Sequence, residues 1–355
     1  SYGHHTKFGD MALAYVLKIK AKDEGFTITN YGEYLEKYRS DCEVDIKQAS
    51  SWSCFHGVGR WKEDCGCSTG GHPGWNQKWR KPLRDALDYL RDELVNIYEE
   101  HGKKYFNNDV WEVRNKYVDV ILDRGDMNVR KFQQENFLPN LSDEDKVRAM
   151  ELLEIQRQSM LMYTSCGWFF SEISGIETVQ IMKYAARAMQ LAAKFTDKNI
   201  EEHFLNILAE AKSNIPEHGT GKDIFERFVK PSIVTAKQIA SLWALSSLYQ
   251  DFEDEEDVYC YTITKKAYKK VHKGTSTFII GHIEVQSKIT LQKSNLIFAL
   301  MQYSGGDFHC AIKEYSDEAE FNKIKTELIK TYLMKKVALK NFQIYMKSAQ
   351  NRHKV

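Results

Sequence analysis

The residues with the most chemistry in this sequence crowd into one short stretch. Between Ser51 and Arg80 stand Trp52, Trp61, Trp75 and Trp79, together with Cys54, Cys65, Cys67, His56, His72 and Asp64, all interleaved with glycines. Two chemistries suit that mixture. Tryptophan faces pack against the apolar C–H face of a sugar while Asp, His and Arg bond its hydroxyls. Glycines let the backbone come close to a ligand. Separately, Cys54-x-His56, Cys65-x-Cys67 and His72 offer soft S and N donors, and a structural Zn²⁺ takes four such ligands. The spacing departs from the usual C-x2-C pair, so the loop has to fold back on itself to gather them. Each reading has a plainer rival. The aromatics can anchor an irregular loop on its domain, and the cysteines can be buried free thiols.

A second cluster runs from Ser165 to Gly175 and holds Cys166, Trp168, Phe169, Phe170 and Glu172. It joins two strongly helical segments. Its aromatics either reach a cleft or fill the space between helices, and residue types alone leave both open. A thiol nucleophile, Cys166 or Cys54 beside a histidine, is the remaining chemical option, but nothing in the spacing pairs them.

The segments SYGHH, SSWSCFHGVGRWKEDCGC, GHPGWNQKWRKPLRDAL and MYTSCGWFFSEISGIETVQ resemble a domain family of unknown function that occurs at the carboxyl end of family-57-like glycoside hydrolases. The resemblance extends to about residue 315. It implies a chain that follows a β/α barrel and helps close a carbohydrate cleft, with an oligosaccharide or α-glucan as ligand. The resemblance places the catalytic Glu and Asp of a retaining mechanism upstream of Ser1. Such a mechanism needs two carboxylates about 5–5.5 Å apart. No catalytic residue is therefore expected here, and Asp64, Glu172 and Glu177 have no motif-based claim to those roles. By the same resemblance His4 and His5 sit near the barrel rim, Trp52, His56, Trp61 and Asp64 line the cleft, and Trp168 and Glu172 reach it. No cofactor is expected. The alternative is a zinc-stabilised helical binding or interaction module without activity, with Cys54, His56, Cys65, Cys67 and His72 as ligands.

The elements that must position these residues are mostly helical. Phe8, Met11, Ala12, Tyr15 and Val16 fall at helical spacing, Asn30 suits a cap for a short helix to Tyr38, and Phe26–Thr29 and Glu43–Ile46 look like short strands. Residues 1–50 then resemble the end of an α/β, barrel-like domain. From Trp79 to Lys103 an apolar stripe of Leu83, Leu87, Leu90, Leu94 and Ile97 marks a long helix. Further helices are expected around Val110–Ile121, from Ser142 (with Asp145 as a capping pair) to Tyr163, and over Ile176–Phe195, Ile200–Asn214 and Ser232–Tyr249. The helical domain spans 51–250. The acidic run Asp251–Asp257 reads as a solvated linker. Beyond it, Val258–Thr264, Thr275–Val285, Leu296–Tyr303 and Phe308–Glu314 are rich in β-branched and aromatic residues, which predicts an antiparallel segment over 258–315. A last helix is expected from about Asp317 to Ser348, in a carboxyl-terminal segment 316–355. The fold class is mainly α, with a small α/β piece first and an antiparallel β segment near the carboxyl end.

Composition narrows the partners. Fifty Lys and Arg against 49 Asp and Glu leave a formal charge of +1, so no global field draws the chain to nucleic acid or an anionic membrane. No apolar run approaches the roughly 20 residues that span a bilayer. Seven scattered cysteines in 355 residues fit no disulfide scaffold and point to a reducing compartment, the cytoplasm.

Overall fold

The structure, a computed structural model, describes residues 6–70, 72–303 and 306–334. Ser1–Ser50 and Ser51–Val355 separate into two units. The first holds helix α1 (Gly9–Asp23) and helix α2 (Tyr31–Lys37). Asn30 caps α2 as its position suggests, its side chain accepting from the Glu33 N–H at 2.9 Å. The two short strands expected at Phe26–Thr29 and Glu43–Ile46 do not form, and both stretches are irregular. A strand with no neighbour leaves its backbone groups unpaired and has no stability of its own. Among its described residues this unit buries only Gly9. Met11, Tyr15 and Val16 keep their helical spacing but remain exposed.

The second unit opens with an irregular stretch and then helix α3 (Arg80–Gly102), followed by α4 (Val110–Lys116), α5 (Val118–Leu122), α6 (Asp126–Asn136) and α7 (Asp143–Leu161). The expected single helix over Val110–Ile121 is two, and α6 is a further helix beyond those expected, with Val129, Phe132 and Asn136 on its buried face. The chain continues through α8 (Cys166–Phe169), α9 (Ile176–Ala192), α10 (Ile200–Leu208), the short α11 (Gly221–Ile224) and α12 (Ala236–Ser246). The α3 stripe of Leu83, Leu87, Leu90 and Leu94 is fully buried, and α3, α7 and α9 pack on one another around one hydrophobic core. Ser142 caps α7 by accepting from the Asp145 N–H at 3.1 Å.

Helix α7 is buried on nearly every side, so its polar residues need partners. Glu154, 2% exposed, accepts from Tyr117 at 2.6 Å and from Arg124 at 2.7 Å. Glu151 pairs with Arg148 and with Lys194. Paired in this way, buried carboxylates are tolerated that would otherwise be costly.

Five strands, β1 (Glu255–Val258), β2 (Tyr261–Lys273), β3 (Ser276–Ser287), β4 (Lys293–Gln302) and β5 (Phe308–Glu314), form one antiparallel sheet in sequence order. Side chains alternate faces along a strand. Ile279, Ile283, Phe298 and Leu300 meet Trp243 and Ala240 of α12, whereas Phe278, Ile280, Ile297 and Ala299 meet Phe321, Ile324 and Leu328 of α13 (Glu318–Leu333). The sheet is thus covered on both faces. This revises two expectations. Helix α12 packs on the sheet rather than only on the helical body, and it starts at Ala236, because Pro231 lies in a 3₁₀ turn, Lys230–Ser232, and Thr235 supplies the capping box. The acidic run is not a free linker either: Glu255–Val258 pairs with Tyr261–Thr264 as an edge strand, where exposed charges discourage edge-to-edge association. What remains is a mainly α chain with an antiparallel β segment toward the carboxyl end, as the pattern predicts.

Candidate metal centre

Among the described residues of 51–79 there is almost no regular structure beyond one 3₁₀ turn, Gly59–Trp61. The chain reverses tightly at Gly57 (φ 68°) and Gly66 (φ 80°), a conformation glycine adopts without strain. The Ser51 hydroxyl closes the first turn by donating to the Gly57 carbonyl at 3.0 Å. The two reversals bring Cys54-x-His56 against Cys65-x-Cys67. Cys54 Sγ lies 3.7 Å from Cys65 Sγ and 3.8 Å from Cys67 Sγ, and His56 Nδ1 lies 3.6 Å from Cys67 Sγ and 4.0 Å from Cys54 Sγ. All four donor atoms fall within 4.8 Å of one another. Gly59 packs inside this knot, and a Cβ there would stand 3.1 Å from Cys65 Cβ.

The surroundings are cationic. Arg80, fully buried, donates to the Cys67 carbonyl at 3.2 Å and to the Phe170 carbonyl at 3.4 Å. Burial, followed by the Arg60 charge, lowers its guanidinium to about 10. Arg60 is also buried and lies over the Phe169 ring at 4.7 Å. Burial opposes ionisation of Cys54, but the N–H groups of Arg60 and His56 point at its sulfur, and with the Cys65 and His56 side chains they bring the thiol down to about 6. Burial pushes Cys65 up, and negative charge on Cys54 adds to that. Three thiols and an imidazole in this arrangement form a soft donor set suited to a tetrahedral metal.

The knot is fastened to the helical body. Trp61 donates its indole N–H to the Ser165 carbonyl at 3.3 Å, and Trp79, 1% exposed, donates to the Ser171 carbonyl at 3.3 Å. Arg84 donates to the Trp61 carbonyl at 3.3 Å.

The residues singled out in the sequence separate into distinct places. Trp52 is exposed and leans on Phe169, with ring centroids 6.0 Å apart, and Phe55 beside the knot is exposed as well. Asp64 is exposed, bonding only locally to the Gly66 N–H at 3.4 Å. Trp61 is half-buried against the helical core. Trp168 is 1% exposed, inside that core, which removes it from any cleft. Glu172 is buried too. It accepts from Ser213 Oγ at 2.6 Å, the Asn214 N–H at 2.8 Å and the Ser174 N–H at 3.1 Å, so it ties two loops together instead of meeting a ligand. His72 stands apart from the cluster and stacks on Trp75 at 3.9 Å. Cys166 is exposed, and no cysteine is in a disulfide. His4 and His5 lie outside the described residues.

Sequence reasoning did not single out Arg60, Arg80 or Phe55, although each directly adjoins a tryptophan or a cluster cysteine or histidine. It also missed a cleft of about 1170 Å³ lined by Arg130, Phe137, Arg148, Glu151, Lys194 and Gln292 among others. That cleft arises where helices meet a strand-connecting turn, residues far apart in sequence, and no local pattern announces it.

The architecture defines a mainly helical chain closed by a two-faced antiparallel sheet, with a Cys/His knot at the head of its helical body. A family model described as Domain of unknown function (DUF3536) matches residues 75–353, and the chain belongs to that family. The knot itself lies just ahead of the matched segment. No curated protein and no solved structure matches the chain.

Proposed function

We propose that this chain is the carboxyl-terminal part of a family-57-like glycoside hydrolase or glucanotransferase, and that residues 51–67 present aromatic side chains to a carbohydrate, an α-glucan by preference. The observation that carries this reading is the exposure of Trp52 (90%) and Phe55 (105%) on a loop otherwise pinned by hydrogen bonds and a buried cysteine. Large aromatics standing in solvent offer a sugar face wide apolar contact. The first unit supports a neighbouring domain. Among its described residues it buries no hydrophobic side chain and leaves Met11, Tyr15, Tyr31 and Tyr34 exposed, as befits a piece that completes its core against more chain. The reactive carboxylates belong to that neighbour. Free thiols throughout suit a reducing compartment, and among the described residues no helix is long and apolar enough to cross a membrane.

The test is binding of malto-oligosaccharides to the chain, followed by titration calorimetry. Trp52→Ala and Phe55→Ala are expected to abolish binding while the fold survives. Binding that persists unchanged in both variants rejects the reading. In that case a binding or interaction module without activity becomes the better account, since the Cys/His knot serves either purpose.

A further inference from the structure

We propose that Cys54, His56, Cys65 and Cys67 bind one Zn²⁺ in a closed tetrahedral site that holds residues 51–70 in shape. Zinc–sulfur bonds near 2.3 Å and zinc–nitrogen bonds near 2.05 Å set tetrahedral edges of about 3.8 Å between sulfurs and about 3.6 Å between sulfur and nitrogen. The chain already holds edges of 3.7 Å and 3.8 Å between sulfurs and 3.6 Å and 4.0 Å from sulfur to nitrogen. A disulfide needs its sulfurs about 2.05 Å apart and has no use for a third thiol or an imidazole at the same distance.

The surroundings supply what such a centre requires. Three thiolates around a dication leave one net negative charge, and buried Arg60 and Arg80 stand beside it. The N–H groups of His56 and Arg60 aim at the Cys54 sulfur, and that of Cys67 at the Cys65 sulfur. Contacts of this kind orient metal ligands and spread their charge. Binding forms three Zn–S bonds and one Zn–N bond, and the protons carried by the thiols leave to solvent. Four protein ligands leave no open position for water or substrate, so the centre is a cross-link and not a Lewis acid for catalysis. A cross-link is what this stretch lacks otherwise, since it has neither a core of its own nor regular structure beyond one turn. The inference is independent of the carbohydrate reading: a chain that binds zinc but no sugar keeps it, and a chain that binds sugar without zinc removes it.

The experiment measures zinc per chain on protein purified under reducing conditions without added metal. About one zinc is expected for the wild type and for His72→Ala, and less than about a tenth of that for Cys67→Ser and Cys65→Ser. Because a serine variant can lose its fold, the wild type is also stripped with chelator and reloaded with Co²⁺. The visible bands of a tetrahedral cobalt–thiolate complex are then expected, and the chelated chain is expected to melt at least roughly 5 °C lower. A folded wild type that carries no zinc and takes up neither metal overturns the proposal. Iron in place of zinc, or undiminished zinc in Cys67→Ser, does the same.

Discussion

The Cys67 sulfur lies 3.6 Å from Nδ1 of His56, although the two are eleven positions apart in the chain. Their meeting depends on Gly59, which occupies the space between the arms of the knot. A Cβ at that position would stand 3.1 Å from Cys65 Cβ and 3.3 Å from His56 Cβ, tighter than ordinary contact. Gly59→Ala should therefore spread the donor atoms without removing any of them. Displaced ligand support commonly weakens metal binding about 10- to 100-fold. Competition for zinc with a chromophoric chelator measures this, and an unchanged affinity shows that the backbone there is not under that constraint.

Trp52 and Trp168 make opposite demands on the fold. Trp168 is fully buried, so Trp168→Ala leaves a large cavity and should cost about 3–5 kcal/mol in urea denaturation. Trp52 is 90% exposed, so Trp52→Ala should stay within about 0.5 kcal/mol of wild type. A large loss of stability in Trp52→Ala would mean that this ring is an anchor after all, and the carbohydrate reading would lose its support.

Glu172→Gln tests a loop tie. Both carboxylate oxygens accept, Oε1 from Ser213 and the Ser174 N–H, and Oε2 from the Asn214 N–H. An amide offers only one acceptor oxygen, so one set of donors faces an NH₂ group. The expected cost is about 1–3 kcal/mol, with faster hydrogen exchange at the Asn214 amide. Exchange as slow as in wild type would show that Glu172 is dispensable there.

Much of this was legible in the sequence, for physical reasons. The α3 stripe carries the helical period that one packing face imposes, and β3 and β4 are rich in β-branched and aromatic residues because both faces of the sheet are buried; all three appear where the pattern places them. The knot was legible as a set of donors, since Cys-x-His and Cys-x-Cys place side chains close together whatever the loop does. Its membership was not. His72 has the same chemistry as His56, and only the path of the backbone sends one ring to the sulfurs and the other onto Trp75. The fate of Trp168 was equally hidden. Gly167 permits such close approach that a Cβ there would meet Ile181 Cγ2 at 2.5 Å, and a helix contact of that kind leaves no periodic trace. The edge strand β1 was masked because its acids resemble a solvated linker, while the ladder to β2 and the contacts of Asp257 with Thr262 and Lys288 depend on partners further along the chain.

Glu154 couples stability to acid. Burial works against its charge, but the hydrogen bonds from Tyr117 and Arg124 and the charges of Arg124 and Arg157 outweigh it, so its carboxyl sits below the usual 4.5. A carboxyl held lower in the folded than in the unfolded chain contributes stability that is fully present above 4.5 and fades as pH falls through the folded-state value. Glu154→Gln keeps the shape and one acceptor but removes the charge that Arg124 and Arg157 face. At pH 7 the variant should be less stable by about 2 kcal/mol, in line with hydrogen bonds to a charged group. In urea denaturation run at successively lower pH, the gap between wild type and variant should narrow below 4.5, because the wild-type carboxyl gains the proton that makes it resemble the amide. A gap that stays constant across that range would show that the charge of Glu154 does not contribute and that the site acts through shape alone.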